Sequence, residues 1–320
     1  ENIEGLLSLC KMSVELLMAR VKGDLVHVEY SKLHDLKNFI GAAEKIILEK
    51  VDFVKPDTDL TAHIGFVRKF ARRSPEKPRV KLFTTNYDLC IETAAARLGV
   101  VLVDGFSHAA VQRFNRDYFQ HDIVRRSSKG TKAEYLDGVF HSYKLHGSVD
   151  WRRQADGVVI RSQAATSDDL RPVLIYPRST KYQEAFETPY LDMFAALQEA
   201  LREPDTTLIV SGFGFADDHI SAPIWSAIET NLSLRVILCD RGFVPHQRLD
   251  ALDAHEIDLE FDRQRPYQKK VIKLVQQGDS RITVLNGRFE DLAHALPEIS
   301  GRTDRQLLQD RLAKLVEPNA

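Results

Sequence analysis

Apolar residues recur at helical spacing through the first quarter of the chain, then give way to short apolar runs separated by polar turns. Leu6, Leu7, Cys10, Val14, Leu17 and Met18 share one face of a helix over residues 1–20. Leu33, Leu36, Phe39, Ile40, Ala43, Ile46 and Ile47 repeat the pattern over 31–50. A third helix is predicted over 59–73, stopped by Ser74-Pro75. From residue 79 the period shortens. Residues 79–84 predict a strand, 87–98 a helix closed by Gly99, and 100–103 a second strand. Strand, polar turn, helix, glycine and strand make a βαβ unit, which demands a parallel sheet with a buried crossover.

The alternation continues. Residues 105–137 are irregular and partly basic, an excursion from the core. Strands are predicted over 140–145, 173–176, 206–211, 234–240 and 281–286, a hairpin over 151–160, and helices over 188–202 and 217–231. Leu307, Leu308, Leu312 and Leu315 give a closing amphipathic helix over 303–316. The expected fold is α/β: a Rossmann-like open parallel sheet with helices on both faces, plus a helical N-terminal subregion. The expected division is 1–78 helical, 79–300 core and 301–320 a C-terminal helix. Ligands of such sheets bind beyond the carboxyl ends of the strands, so functional residues belong in the turns that follow them.

Composition narrows the classes. A chain of 320 residues with 43% hydrophobic and 28% charged residues has the material of a folded core, which excludes global disorder. Its formal charge of -2 offers no chain-wide attraction for nucleic acid. No run of about 18 apolar residues occurs, so no membrane-spanning helix is expected, and no signal peptide is visible. Cys10, Cys90 and Cys239 are isolated, and no C-x-x-C pair exists; three thiols cannot build a tetrathiolate zinc site. Unpaired cysteines favour a reducing cytoplasm. The chain opens Glu1-Asn2-Ile3 without an initiator Met and reads as a fragment.

Polar turns follow four of the strands. Thr84-Thr85-Asn86-Tyr87-Asp88 presents short hydrogen-bonding side chains, with helix capping as the competing explanation. Lys144-Leu145-His146-Gly147-Ser148 carries the side chain best suited to proton transfer near neutral pH, beside a glycine that lets backbone approach a ligand. A structural histidine at a turn is the alternative, and one of 11 histidines is not selected by composition. Ser211-Gly212-Phe213-Gly214-Phe215 leads into a helix with Asp217 and Asp218 in its first turn, an arrangement suited to phosphate. Asp240 ends a strand where nucleotide folds often place an acceptor for a ribose hydroxyl. A dinucleotide needs several such turns at once.

Taken in order, TTNYD (84–88), KLHGSVDW (144–151), LIYP (174–177) with Lys181-Tyr182, and SGFGFADDHI (211–220) resemble the sirtuin superfamily. The chain most resembles the sirtuin-like NAD hydrolase domains of bacterial antiphage defence systems. The resemblance implies that Asn86 and His146 are catalytic. Asn86 would hold a water or hydroxyl near the anomeric carbon, and His146 would act as base. Thr85, Asp88, Gly147, Ser211, Gly212, Gly214 and Asp240 would line the site, with NAD⁺ as substrate and no metal. The resemblance also implies a homo-oligomer and a regulatory partner, such as a HerA-type ATPase or an Argonaute, with no direct contact to nucleic acid or membrane. The basic run Arg125, Arg126, Lys129 and Lys132 is expected to be a solvated loop, with a partner surface as the alternative.

Two departures from the family pattern stand out. Its glycine-rich G-A-G-x-S loop is not found; Phe39-Ile40-Gly41-Ala42-Ala43 looks similar but lies inside a helical pattern with no strand before it. The four-cysteine zinc module of the protein deacylases is missing, which turns the implied chemistry toward hydrolysis. Nicotinamide leaves NAD⁺ as a neutral molecule, so no general acid is required, and the lack of a carboxylate pair fits. The alternatives are a regulatory module that binds NAD⁺ or ADP-ribose without turnover, a zinc-less deacylase, and a scaffold subunit.

Overall fold

A computed structural model describes residues 9–10, 13–14, 30–126, 133–162, 170–174, 188–240, 266–297 and 299. Two amphipathic helices, α1 (Tyr30–Val51) and α2 (Thr61–Ala71), precede the first strand. Phe39–Ala43 lies within α1, so the glycine there belongs to a helix and not to a phosphate loop. Of the helix expected over 1–20, the four described residues are helical; the rest, and the closing helix expected over 303–316, lie outside the described residues.

The βαβ unit forms as the pattern requires. Strand β1 (Val80–Thr84) leads through a turn into α3 (Cys90–Leu98), and Gly99, with a φ of 68°, closes the helix in the left-handed conformation. The Val100 N–H then bonds to the Ala95 carbonyl, and β2 (Val101–Val103) begins. Strand β5 (Val139–Lys144) inserts between β1 and β2, parallel to both, with Thr84 opposite Lys144. Phe140 points to one face of β5 and packs with Val67, Ala94 and Ala95 of α2 and α3. Tyr143 and Leu145 point to the other face and enter the main core.

A second parallel sheet contains β9 (Thr207–Ser211), β10 (Arg235–Cys239) and β11 (Ile282–Leu285), in the order β11-β10-β9. Helices α4 (Tyr190–Arg202), α5 (Asp218–Thr230) and α6 (Pro266–Gln276) supply Met193, Leu197, Ile220, Ile224 and Val271 to the same core as Tyr143. The last described helix, α7 (Phe289–Ala295), returns to α2, where Phe289 lies 5.1 Å from Phe66 and 5.0 Å from His63. Shared core and returning helix join the sheets into one α/β, Rossmann-like body. Helices α6 and α7 lie where the sequence pattern predicts none; both are short and lie near sequence interrupted by Pro and Gly.

A small antiparallel sheet completes the fold. Strand β6 (Gly147–Gln154) runs between β7 (Val159–Arg161) and β8 (Leu170–Leu174). The expected hairpin is therefore real but starts earlier, directly after His146. Residues 105–137 hold a 3₁₀ turn (Arg116–Gln120) and a short exposed hairpin, β3 (Val124–Arg126) with β4 (Ala133–Tyr135). Part of this stretch packs on the core. Phe106 is buried 5.2 Å from Trp151, and Phe119 stacks on Tyr143 at 4.3 Å, so its phenylalanines add to the core. Sequence polarity concealed this because three phenylalanines spaced across a polar segment have neither helical nor strand period.

Candidate active site

The register of β1 with β5 decides where the first two turns lie. Thr84 is paired with Lys144, so Asn86 and His146 each stand two residues beyond the same rung. Backbone bonds extend the pairing past the strands: the Leu145 N–H donates to the Thr84 carbonyl at 2.8 Å, and the Val149 N–H to the Tyr87 carbonyl at 3.0 Å. The Asn86 turn is thereby laced to the His146 turn by main chain on both sides.

Side chains tighten the lacing. Lys144, almost fully buried, donates from Nζ to the Asp88 carbonyl and pairs with Glu92 of α3 at 3.2 Å. The Asp88 carboxylate accepts the Cys90 N–H at 2.9 Å, which starts α3. Asp88 thus bonds the first N–H of α3, and Asn86 does not: its side chain is exposed at the turn while its N–H bonds to Thr84 Oγ1 at 3.1 Å. Beside Asp88, burial first and the carboxylate second push the Cys90 thiol up to about 12, so it stays protonated and is not a nucleophile.

His146 is buried where β5 turns into β6. Its Nε2 lies 3.0 Å from Oδ2 of Asp217, with the two side chains only 5% and 7% exposed. Asp217 is the N-cap of α5, its Oδ1 accepting the His219 N–H at 3.1 Å. The helix that follows the Ser211–Phe215 turn therefore begins against the catalytic candidate. That contact brings the third turn to the first two across the two sheets.

The other expected residues divide. Ser211 ends β9, and its hydroxyl is buried with no hydrogen-bond partner among the described residues. Gly212, with a φ of 65°, has open space where a Cβ would stand, and its N–H bonds to the Cys239 carbonyl at 3.1 Å. Gly147 has a different reason to be glycine. Its φ is 88°, and a Cβ would drive into the Val173 carbonyl of β8, so the packing of the small sheet demands it. Asp240 follows β10, one strand beyond Ser211, with its N–H on the Leu285 carbonyl at 3.2 Å. Of the matching motif LIYP and Lys181-Tyr182, only Leu174 lies among the described residues, at the end of β8.

Residues 80–259 match the family described as the SIR2-like domain. The chain belongs to that family. Members of the SIR2-like family are NAD-dependent enzymes of the sirtuin superfamily, and the matched span includes the Asn86, His146 and Ser211 turns. No curated protein matches the chain. A SIR2-like domain implies NAD⁺ as substrate. Sequence reading overlooked Asp217 as a partner of His146, because the two are far apart in the chain and Asp217 had a sufficient reason to exist as a helix cap. Among the described residues, no helix is long and apolar enough to cross a membrane.

Proposed function

We propose that this SIR2-like domain is an NAD⁺ glycohydrolase that cleaves the bond between nicotinamide and ribose, releasing nicotinamide and ADP-ribose. The observation that carries the reading is the laced pair of turns holding exposed Asn86 beside buried His146, with α5 beginning at His146. In the reaction the bond from the anomeric carbon to the nicotinamide nitrogen breaks, and its electron pair stays on nicotinamide. A water oxygen bonds to that carbon. Its proton passes to His146 and then to solvent. Asn86 orients the water and offers a dipole to the oxocarbenium-like carbon. Hydrolysis is favoured over deacylation because three isolated cysteines cannot supply the four-thiolate zinc module of the deacylases.

We further propose, from the resemblance of its motifs, that the activity serves antiphage defence by depleting NAD⁺. An enzyme of this kind has to be held quiet until triggered, which calls for a homo-oligomer or a regulatory partner such as a HerA-type ATPase or an Argonaute. Release of nicotinamide from NAD⁺ tests the chemistry. Asn86→Ala and His146→Ala are each expected to lower it by about 10²-fold or more, the scale of a lost acid–base group. Normal release by both variants would refute the assignment.

A further inference from the structure

We infer that Asp217 is a positioning residue for His146, fixing the imidazole as the tautomer whose free lone pair is on Nδ1. The inference rests on the proposed hydrolysis, in which His146 is the base. Nε2 and Oδ2 stand 3.0 Å apart but out of line for a hydrogen bond, and Nε2 is buried with no hydrogen-bond partner among the described residues. A carboxylate offers only lone pairs, so the pairing forms when Nε2 carries the hydrogen and the ring turns toward Asp217. The proton from water then arrives at Nδ1. Both side chains are nearly excluded from solvent, so water does not compete for either atom.

One carboxylate serves two elements. Oδ1 takes the His219 N–H and starts α5, while Oδ2 faces His146 at the end of β5. The helix N-terminus favours negative charge at this position. Any displacement of α5 relative to β5 therefore moves the ring, and the orientation of the base is coupled to the turn that follows β9.

Asp217→Asn and Asp217→Ser separate positioning from helix capping, because Asn and Ser cap helices about as well as Asp. With its oxygen retained on the His219 N–H, Asn presents an N–H to Nε2 and forces the proton to Nδ1, where the base is needed. Ser caps but is too short to reach the ring. Both variants are expected to keep the thermal midpoint of the parent and its KM for NAD⁺, while kcat falls by about 10²-fold or more. Nitrogen chemical shifts of ¹⁵N-histidine, with His146 assigned by its loss in His146→Ala, are expected to show protonated Nε2 in the parent and protonated Nδ1 in Asp217→Asn. Parent-like kcat and unchanged His146 shifts in Asp217→Asn would overturn the positioning role and leave the proposed hydrolysis standing. Full hydrolysis by His146→Ala would instead remove the proposed function, and the tautomer shifts would still decide the pairing.

Discussion

Single residues in this site do more than one job, and the jobs are separable by substitution. Asp217 caps a helix and faces a histidine; Asp88 starts α3 and offers its carbonyl to Lys144. Gly147 looks like a residue that makes room for a ligand, yet the group it makes room for is the Val173 carbonyl. Gly147→Ala adds a methyl group against immovable backbone and imposes a left-handed conformation. It is expected to cost about 3 kcal/mol or more, visible as a large drop in the urea midpoint. A parent-like midpoint would show that β8 yields easily at this point. Gly212→Ala meets no such neighbour, so its stability cost is confined to the left-handed conformation, about 1 kcal/mol.

At the scale of elements, the decisive feature is that β1 and β5 end on the same rung and stay laced beyond it. Lys144 is the side-chain part of that lacing, a nearly buried cation shared by Glu92 and the Asp88 carbonyl. Lys144→Met keeps the apolar stem and removes the charge. Glu92 retains partial solvent contact, so the expected loss is about 2 kcal/mol, below that for breaking a fully buried pair. The 84–88 turn also loses its tether to β5. Nicotinamide release is therefore expected to fall more steeply than stability alone requires, when both are measured on the same preparation below the unfolding transition. Equal activity of parent and variant would show that the main-chain bonds suffice.

The whole molecule carries a pH dependence that its net charge does not suggest. Burial lowers the pKa of His141, in the centre of the first sheet, and of His63, against α7; in each case desolvation outweighs a nearby carboxylate. The folded state therefore keeps both rings neutral at pH values where the unfolded chain, with imidazoles near 6.5, has begun to take up protons. More protons on the unfolded state means that stability rises with pH, so it is expected to fall as pH drops below about 6.5 toward the lowered folded values. Thermal midpoints measured from about pH 7 to about pH 5 check this. His141→Leu combined with His63→Leu is expected to flatten the slope, and an unchanged slope would place the titration elsewhere.

Periodicity and turn chemistry made the βαβ unit, the parallel strands and the order of the polar turns legible in the sequence, because each is set by neighbours a few residues apart. The 84–88, 144–148 and 211–215 turns were readable for the same reason: a short apolar run ending in Thr, His or Gly marks a strand end locally. Their convergence was not. It depends on β5 inserting between β1 and β2, on both sheets sharing one core, and on Asp217 meeting His146 across 71 positions of chain. The packing of Phe106 and Phe119 was not legible for a related reason, since they find their partners in Trp151 and Tyr143, on strands formed later in the chain. Local sequence determined which residues lie at the ends of strands; only tertiary packing decided which of those ends meet, because contacts between distant segments leave no period in the sequence.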